Sequence, residues 1–442
     1  MLDVILLVFV IAFLIFSIVK IGIHPFIALL ISGVMLGLFA GMPVISIMDT
    51  LQDGFAGTLR WIGIVMVLGT LVGEILFETG GSFRIADTVL KIVGKKRIPL
   101  TMGITGYIVA IPVFVDVAYI MLQPVTESLA VKSKRNILVV GLSLTAGLTA
   151  THALIPPTPG PLAAAGLINA DLGRLILINA FVAFCATAGG LFWATFYCKR
   201  EVLPYDRELA DGFKQKESIL TQQKMPGALG AFTPILLPLI LIALRSFIKS
   251  DINGFVKQTF QFLGSPTIAL LIGVFCASLL LKKGQRTKKI HELLDRAIQK
   301  AAIVIMITGA GGAFGGVIKA SPIGHSVSDV IANSGIPGFF FPFLLAAAIT
   351  TSTGSLTVSM VTSSTIVASV IGSLNLSPEM AIALIGAGSF CVFHANTSFF
   401  WLLSRLHKVP PNVLFRTFTA QSLFMGLSGF LGVVLLRLLG VH

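Results

Sequence analysis

Apolar positions along this chain come in long runs, and polar positions are few. The runs are Leu2–Val19, Ile23–Met42, Trp61–Phe77, Leu100–Ala118, Ile137–Ile155, Leu175–Tyr197, Ala228–Leu244, Leu263–Leu281, Ala301–Ile318, Gly338–Thr350, Ala381–Leu403 and Ser422–Val441. Most approach the roughly 20 residues that an α-helix needs to cross a hydrocarbon core of about 30 Å. The short alternating segments of a transmembrane barrel are not the pattern here. The chain therefore reads as an all-α polytopic membrane protein. Its first run carries Asp3 near the start and no basic residue before Lys20. A secretory leader places positive charge in front, so this run is expected to stay as a first helix with its N-terminus outside.

Composition strengthens the membrane reading. Of 442 residues, 55% are hydrophobic and 12% are charged, against about 25% charged in soluble proteins. One soluble core of this size cannot hide so much apolar surface. A soluble enzyme, a disulfide scaffold and a disordered chain are thereby excluded. Cys185, Cys198, Cys276 and Cys391 lie in or beside apolar runs without metal-site spacing, and read as small core residues. No basic domain for nucleic acid is present. No cofactor and no metal are expected.

The net charge of +13 is concentrated in four groups. They are Arg84–Arg97, Lys132–Arg135, Lys199–Lys224 and Lys282–Lys300. Basic loops stay on the cytoplasmic side, which places these groups inside and both termini outside. Residues 98–131 then begin and end inside, yet two full crossings need about 40 residues. A re-entrant hairpin with its tip near Pro112–Asp116 satisfies both conditions. Residues 335–373 have a Ser/Thr/Gly centre, Thr350–Ser355, and no basic end, which suggests a second hairpin of opposite orientation. Arg84–Gly94 before the first hairpin and His325–Gly335 before the second share a weak pattern. The expected plan is an inverted-repeat secondary transporter with about ten full helices, two hairpins and two broken helices. The first repeat covers 1–198, with hairpin 98–131 and broken helix 137–170. A cytoplasmic linker covers 199–227. The second repeat covers 228–442, with hairpin 335–373 and broken helix 379–403. The basic amphipathic stretch Lys282–Ala302 is expected along the inner membrane surface.

Three polar features interrupt the apolar background. In Thr149–Pro161, four prolines within six residues stop a helix and leave backbone groups free for ions or substrate. His152 stands just before them, either as a site residue or as a packed histidine bonded to a carbonyl. In the matching span, His394, Asn396, Thr397 and Ser398 either line a site or tie helices together. Asp116 sits at the first hairpin tip. A carboxylate at membrane depth is costly, so it is either a proton carrier or a solvated residue at the mouth. Tyr119, Gln123 and Glu127 extend a polar stripe from it, with Glu127 towards the cytoplasmic end. Glu74 and Glu78 end the third run and read as interfacial. Gly309–Gly316 lacks the Gly-Lys-Ser/Thr ending of a phosphate loop and suits close helix packing.

These residues resemble the gluconate permease (GntP) family. The resemblance rests on Gly80–Ala86, Pro112–Val117, Thr151–Pro161, Gly309–Gly315, Gly354–Val358 and His394–Trp401, which follow the family's order across most of the chain. It implies a proton-coupled importer, working by alternating access, of gluconate-like sugar acids or related small hydroxy acids in the inner membrane, in the ion-transporter superfamily architecture and as a homodimer. Departures from the family pattern fall at Thr158, Thr350 and Thr397, where titratable or charged groups are usual. The candidate substrate-binding residues are Thr151, His152, Thr158, Gly160, Gly354, Ser355, Thr357, His394, Asn396, Thr397 and Ser398. Asp116 and His152 are the candidate proton carriers. Na⁺ coupling for a carboxylate or D-serine-like amino acid is the alternative on the same plan. An intramembrane enzyme and an anion channel are the remote ones.

Overall fold

The computed structural model describes residues 2–94, 97–201, 225–247, 254–322 and 338–441. Positions 202–224 of the expected linker and all of His325–Gly335 lie outside the described residues. Among the described residues every regular element is helical. In chain order these are α1 (Leu2–Phe16), α2 (Pro25–Phe39), α3 (Val44–Glu78), α4 (Gly81–Val93), α5 (Ile98–Val109) and α6 (Val115–Ser133). Then come α7 (Ile137–Leu154), α8 (Pro159–Ile168), α9 (Leu172–Phe196), α10 (Ala228–Phe247), α11 (Gly254–Leu263) and α12 (Pro266–Ser278). The last are α13 (Arg286–Ala320), α14 (Phe340–Thr353), α15 (Leu356–Val370), α16 (Pro378–Ser389), α17 (Ser398–Leu406) and α18 (Pro411–Leu438).

Seven spans are long and apolar enough to cross a membrane, or eight if α11 and α12, bent by 63°, count as one. Four shorter apolar helices accompany them, two of them Ile98–Val109 and Phe340–Thr353. The protein is a multi-pass membrane protein. Many large apolar side chains are exposed on its outer helices, such as Phe184, Phe192 and Phe275. In a bilayer this costs nothing, because lipid tails are as apolar as the side chains.

Helices α3 and α13, each of 35 residues, form an antiparallel pair. Glycines let them approach. A Cβ on Gly312 would collide with Thr58 Oγ1 and lie 2.6 Å from the Gly54 carbonyl oxygen, and one on Gly54 would collide with the Gly312 carbonyl. The glycine run is thus a packing surface within an unbroken helix. A second glycine-mediated pair joins α5 and α7, where Gly106 and Gly147 each face the other helix's backbone.

Two expectations change here. The run Trp61–Phe77 is only the second half of α3, which begins at Val44. Lys282–Ala302 is not a separate surface helix, because residues from Arg286 onward continue directly into the glycine run as α13. Its apolar face, Leu293 and Ala297, is buried with Leu71, Ile75, Ala277 and Leu281. Its charges meet α3. Lys289 Nζ pairs with Glu78 at 2.8 Å, Arg296 with Glu78 at 3.5 Å, and Lys300 with Glu74. Partner helices cover its apolar face and pair three of its basic residues.

The Glu74 side chain is 8% exposed, so its partner matters. Removing one member of a buried pair strands a charge and costs about 3–5 kcal/mol, whereas removing both is far milder. Lys300 is 37% exposed, which places the expected loss at the lower end of that range. Lys300→Ala should therefore lower the melting temperature in detergent by several degrees, and Lys300→Ala combined with Glu74→Gln should recover most of it. Equal losses in the single and double variants would contradict the pairing.

Candidate functional site

Four helices start immediately after a break in the chain: α6 after 110–114, α8 after 155–158, α15 after 354–355 and α17 after 390–397. The causes are local. Pro112 lies in the first break. In the second, Thr158 stands at the N-cap of α8 and Pro159 and Pro161 open that helix. Pro156 and Pro157 are joined by a cis peptide bond. At the third, Gly354 adopts φ +68°, the left-handed conformation that favours glycine. The fourth contains Val392 at φ 58° and the polar run His394–Thr397.

Pairwise contacts join the segments around these breaks. The Phe114 ring lies 5.6 Å from His152, at the end of α7. A Cβ on Gly160 would sit 2.6 Å from Met360 Sδ and 3.6 Å from Leu356, so α8 packs tightly on α15. A Cβ on Gly354 would overlap Asn396, lying 2.6 Å from its carbonyl carbon. Tyr119 of α6 packs edge-on against Phe399 of α17, with centroids 5.4 Å apart. Helix N-termini carry a partial positive charge and unsatisfied N–H groups. Such ends suit an anion.

The candidate residues divide by what they touch. His394 Nε2 and Asn396 Nδ2 both reach the Thr351 carbonyl oxygen, at 2.9 and 2.8 Å. This brings His394, Asn396, Gly354 and Ser355 together, joining α14–α15 to the 390–397 break. Ser355 Oγ accepts from the Val358 N–H and caps α15. Thr357 is half-buried in the first turn of α15. Ser398 is exposed at the start of α17. Thr151 Oγ1 and His152 Nδ1 are buried without a hydrogen-bond partner among the described residues. An unmade bond of this kind costs about 1–3 kcal/mol, and both atoms stand one turn before the proline break. Asp116 is exposed in the first turn of α6, where a carboxylate is favoured by the helix dipole.

Three threonines beside the breaks share one role. Thr158 Oγ1 donates to the Ile155 carbonyl at 2.5 Å, Thr350 Oγ1 to Ser389 at 2.8 Å and Thr397 Oγ1 to His394 at 2.7 Å. Each hydroxyl satisfies a carbonyl at or beside a break. Each thereby holds the backbone at its break with its one donor.

Sequence reasoning missed the residues that hold the breaks from outside. Asn179 of α9, fully buried, donates from Nδ2 to the Leu154 carbonyl at 2.6 Å. Ser422 of α18 accepts from the Phe393 N–H at 2.8 Å. The signal was an amide within one apolar run and a hydroxyl at the start of another. Asn179→Leu should leave that carbonyl unpaired and lower stability by about 1–3 kcal/mol, read as a lower melting temperature. An unchanged value would show that the contact is dispensable.

The chain is similar along most of its length to known permeases. The family described as GntP family permease matches residues 2–439. The chain is 34% identical over 433 residues to a gluconate permease of Pseudomonas aeruginosa, covering 96% of this chain and 95% of that one. It is 32% identical over 439 residues to the low-affinity gluconate transporter of Escherichia coli K12, covering 96% of each. Among solved structures, MtrF of Neisseria gonorrhoeae, described among antimetabolite efflux pumps, superposes with a TM-score of 0.71. That match covers 96% of this chain and 97% of MtrF at 14% identity, and it speaks to fold alone. The relatives are permeases and transporters, not enzymes. A whole-length family match, joined to an all-helical fold with interrupted spans, makes this chain a member of the GntP permease family.

Proposed function

We propose that the chain is a secondary transporter that carries a gluconate-like sugar acid together with a proton, by alternating access. The observation that carries the substrate class is the meeting of the α15 start at Gly354 and Ser355 with His394 and Asn396, both bound to the Thr351 carbonyl. It offers N–H groups and positive dipole ends to a carboxylate. The unpartnered Thr151 hydroxyl and His152 Nδ1, with Asn396, Thr357 and Ser398, suit the hydroxyls of a sugar acid. Its relatives named as gluconate permease and gluconate transporter support the same class. Asp116 is exposed beside this neighbourhood and is the proton carrier in this reading.

An inverted repeat at 1–198 and 228–442 belongs to the same proposal. Two parallels support it. The long helices α3 and α13 pair head to tail. The last long helix of each half caps the break of its own half, Asn179 at Leu154 and Ser422 at Phe393.

The test is uptake of labelled gluconate into proteoliposomes with an inward proton gradient, in sodium-free and sodium-containing buffer. Uptake that follows the proton gradient without sodium is the expected result. Uptake that requires sodium overturns the coupling, and silence towards a panel of sugar acids overturns the substrate class.

A further inference from the structure

We propose that the exposed face of α17, formed by Ser398, Trp401 and Arg405, is a watered lane for the sugar acid between the 390–397 break and the inner surface. The proposal rests on the sugar-acid reading above and adds the path and two residues that line it.

Helix α17 has two unlike faces. Phe399, Phe400 and Leu403 are buried. Ser398, Trp401 and Arg405 are exposed. The exposed three follow at spacings of three and four, which keep side chains on one helix face. Elsewhere the outer helices expose phenylalanines such as Phe184, Phe192 and Phe275, as contact with lipid tails requires. A hydroxyl, an indole and a guanidinium in a row do not suit that contact. An arginine at membrane depth is costly without water or an anion beside it.

Trp401 ties this face to the site. Its side chain is 43% exposed, and its Nε1–H donates to the Ala395 carbonyl at 2.7 Å. Ala395 stands between His394 and Asn396, whose side chains both reach the Thr351 carbonyl. These three residues are therefore held from two directions, by α14 through their side chains and by α17 through their backbone. A tryptophan in a membrane-interface belt turns its N–H to water and headgroups. Here the N–H is spent on the break, and the open part of the ring stands one turn from Ser398. The indole packs on the C–H groups of a sugar-acid chain while the hydroxyls of that chain turn to Ser398 and Asn396.

Arg405 closes the row one turn further on. At 1.5 Å per residue it lies about 10 Å along the helix from Ser398, roughly a third of a hydrocarbon core. Its planar guanidinium matches a carboxylate. The turn 407–410 then leads into α18, whose Arg416 lies 3.7 Å from Glu201. Glu201 follows Lys199 and Arg200, in a group that the positive-inside bias assigns to the cytoplasm. The lane thus runs from the break to the inner side, with its stacking surface first and its cationic end last.

The test reads Trp401 itself. The chain has three tryptophans, Trp61, Trp193 and Trp401, so Trp61→Phe with Trp193→Phe leaves Trp401 as the reporter. The full-length double variant is reconstituted in proteoliposomes, and its fluorescence is quenched by iodide from water or by brominated lipid from the bilayer. Iodide should quench it, brominated lipid should not, and saturating gluconate should shield it from iodide. Quenching by brominated lipid alone, or iodide quenching that gluconate leaves unchanged, would overturn the lane. Should the double variant not fold, the same signal is read as the difference between wild type and Trp401→Phe. Arg405→Gln gives a second reading. The KM for gluconate offered at the inner face should rise about tenfold, the scale of one charge-assisted contact. Arg405→Lys should recover part of that loss, since the charge returns without the planar fork. An unchanged KM would overturn the cationic end of the lane. Wild-type protein that takes up no sugar acid would instead sink the proposed function, and the lane with it. Wild-type uptake together with an unshielded Trp401 sinks the lane alone.

Discussion

Gly354→Ala is expected to abolish transport while leaving the protein folded. The residue sits at φ +68° between α14 and α15, a conformation that costs an L-residue roughly 1–2 kcal/mol. Strain is the smaller part. The added methyl would overlap the Asn396 carbonyl and stand 2.9 Å from its Cγ. Backbone cannot step aside as a side-chain end does, so the 390–397 break must move away from the α14–α15 junction. That motion pulls His394 and Asn396 off the Thr351 carbonyl, which both reach. The helix ends then no longer face one another. Substrate uptake at background level, with normal size-exclusion behaviour, is the expected outcome. Uptake within about twofold of wild type would show that the junction and the break do not form one site, since even a loss of 1.4 kcal/mol is tenfold.

The second large effect is on assembly of the fold. Gly312→Ala should prevent α3 and α13 from closing, whereas Gly309→Ala should be tolerated far better. Both glycines lie on the same helix and face α3. At Gly312 the obstacle includes the Gly54 carbonyl, 2.6 Å from the new Cβ. At Gly309 the obstacles are the ends of Leu59 and Phe55, each 2.5 Å away. Side-chain ends can rotate, and a helix backbone cannot. Overpacking costs about 1–3 kcal/mol where neighbours yield, and more where they cannot. Monodisperse yield after detergent extraction, together with the melting temperature, reads the difference. Similar losses at both positions would refute the backbone argument.

Much of the architecture has local causes, and those were legible. The long apolar runs force helices, because a bilayer leaves no other partner for backbone groups. Pro156 to Pro161 stops a helix wherever the chain is placed, since proline lacks an N–H and clashes with the preceding turn. The glycine run announced close packing through its spacing. Amphipathic charge was less informative. A basic stripe beside an apolar one suits a membrane surface and a partner helix equally, and Lys289, Arg296 and Lys300 found their acids on α3. Glu74 and Glu78 looked interfacial for the same reason.

The candidate site shows the same division. His152, His394 and Asn396 stood out because polar residues are rare in this chain. Their partners did not, because those partners are backbone atoms or lone residues far away in sequence. The Thr351 carbonyl gathers His394 and Asn396 from more than 40 residues away. Asn179 holds the end of α7 and Ser422 holds the 390–397 break. Tyr119 meets His407 across 288 positions. By itself the sequence determined that the chain is a helical membrane protein with interrupted spans, because solvation and proline act residue by residue. Only the tertiary structure decided which break faces which, and which hydroxyl or amide completes each broken end. Those choices depend on packing between distant helices, where a buried donor or acceptor takes whatever partner the fold brings within reach.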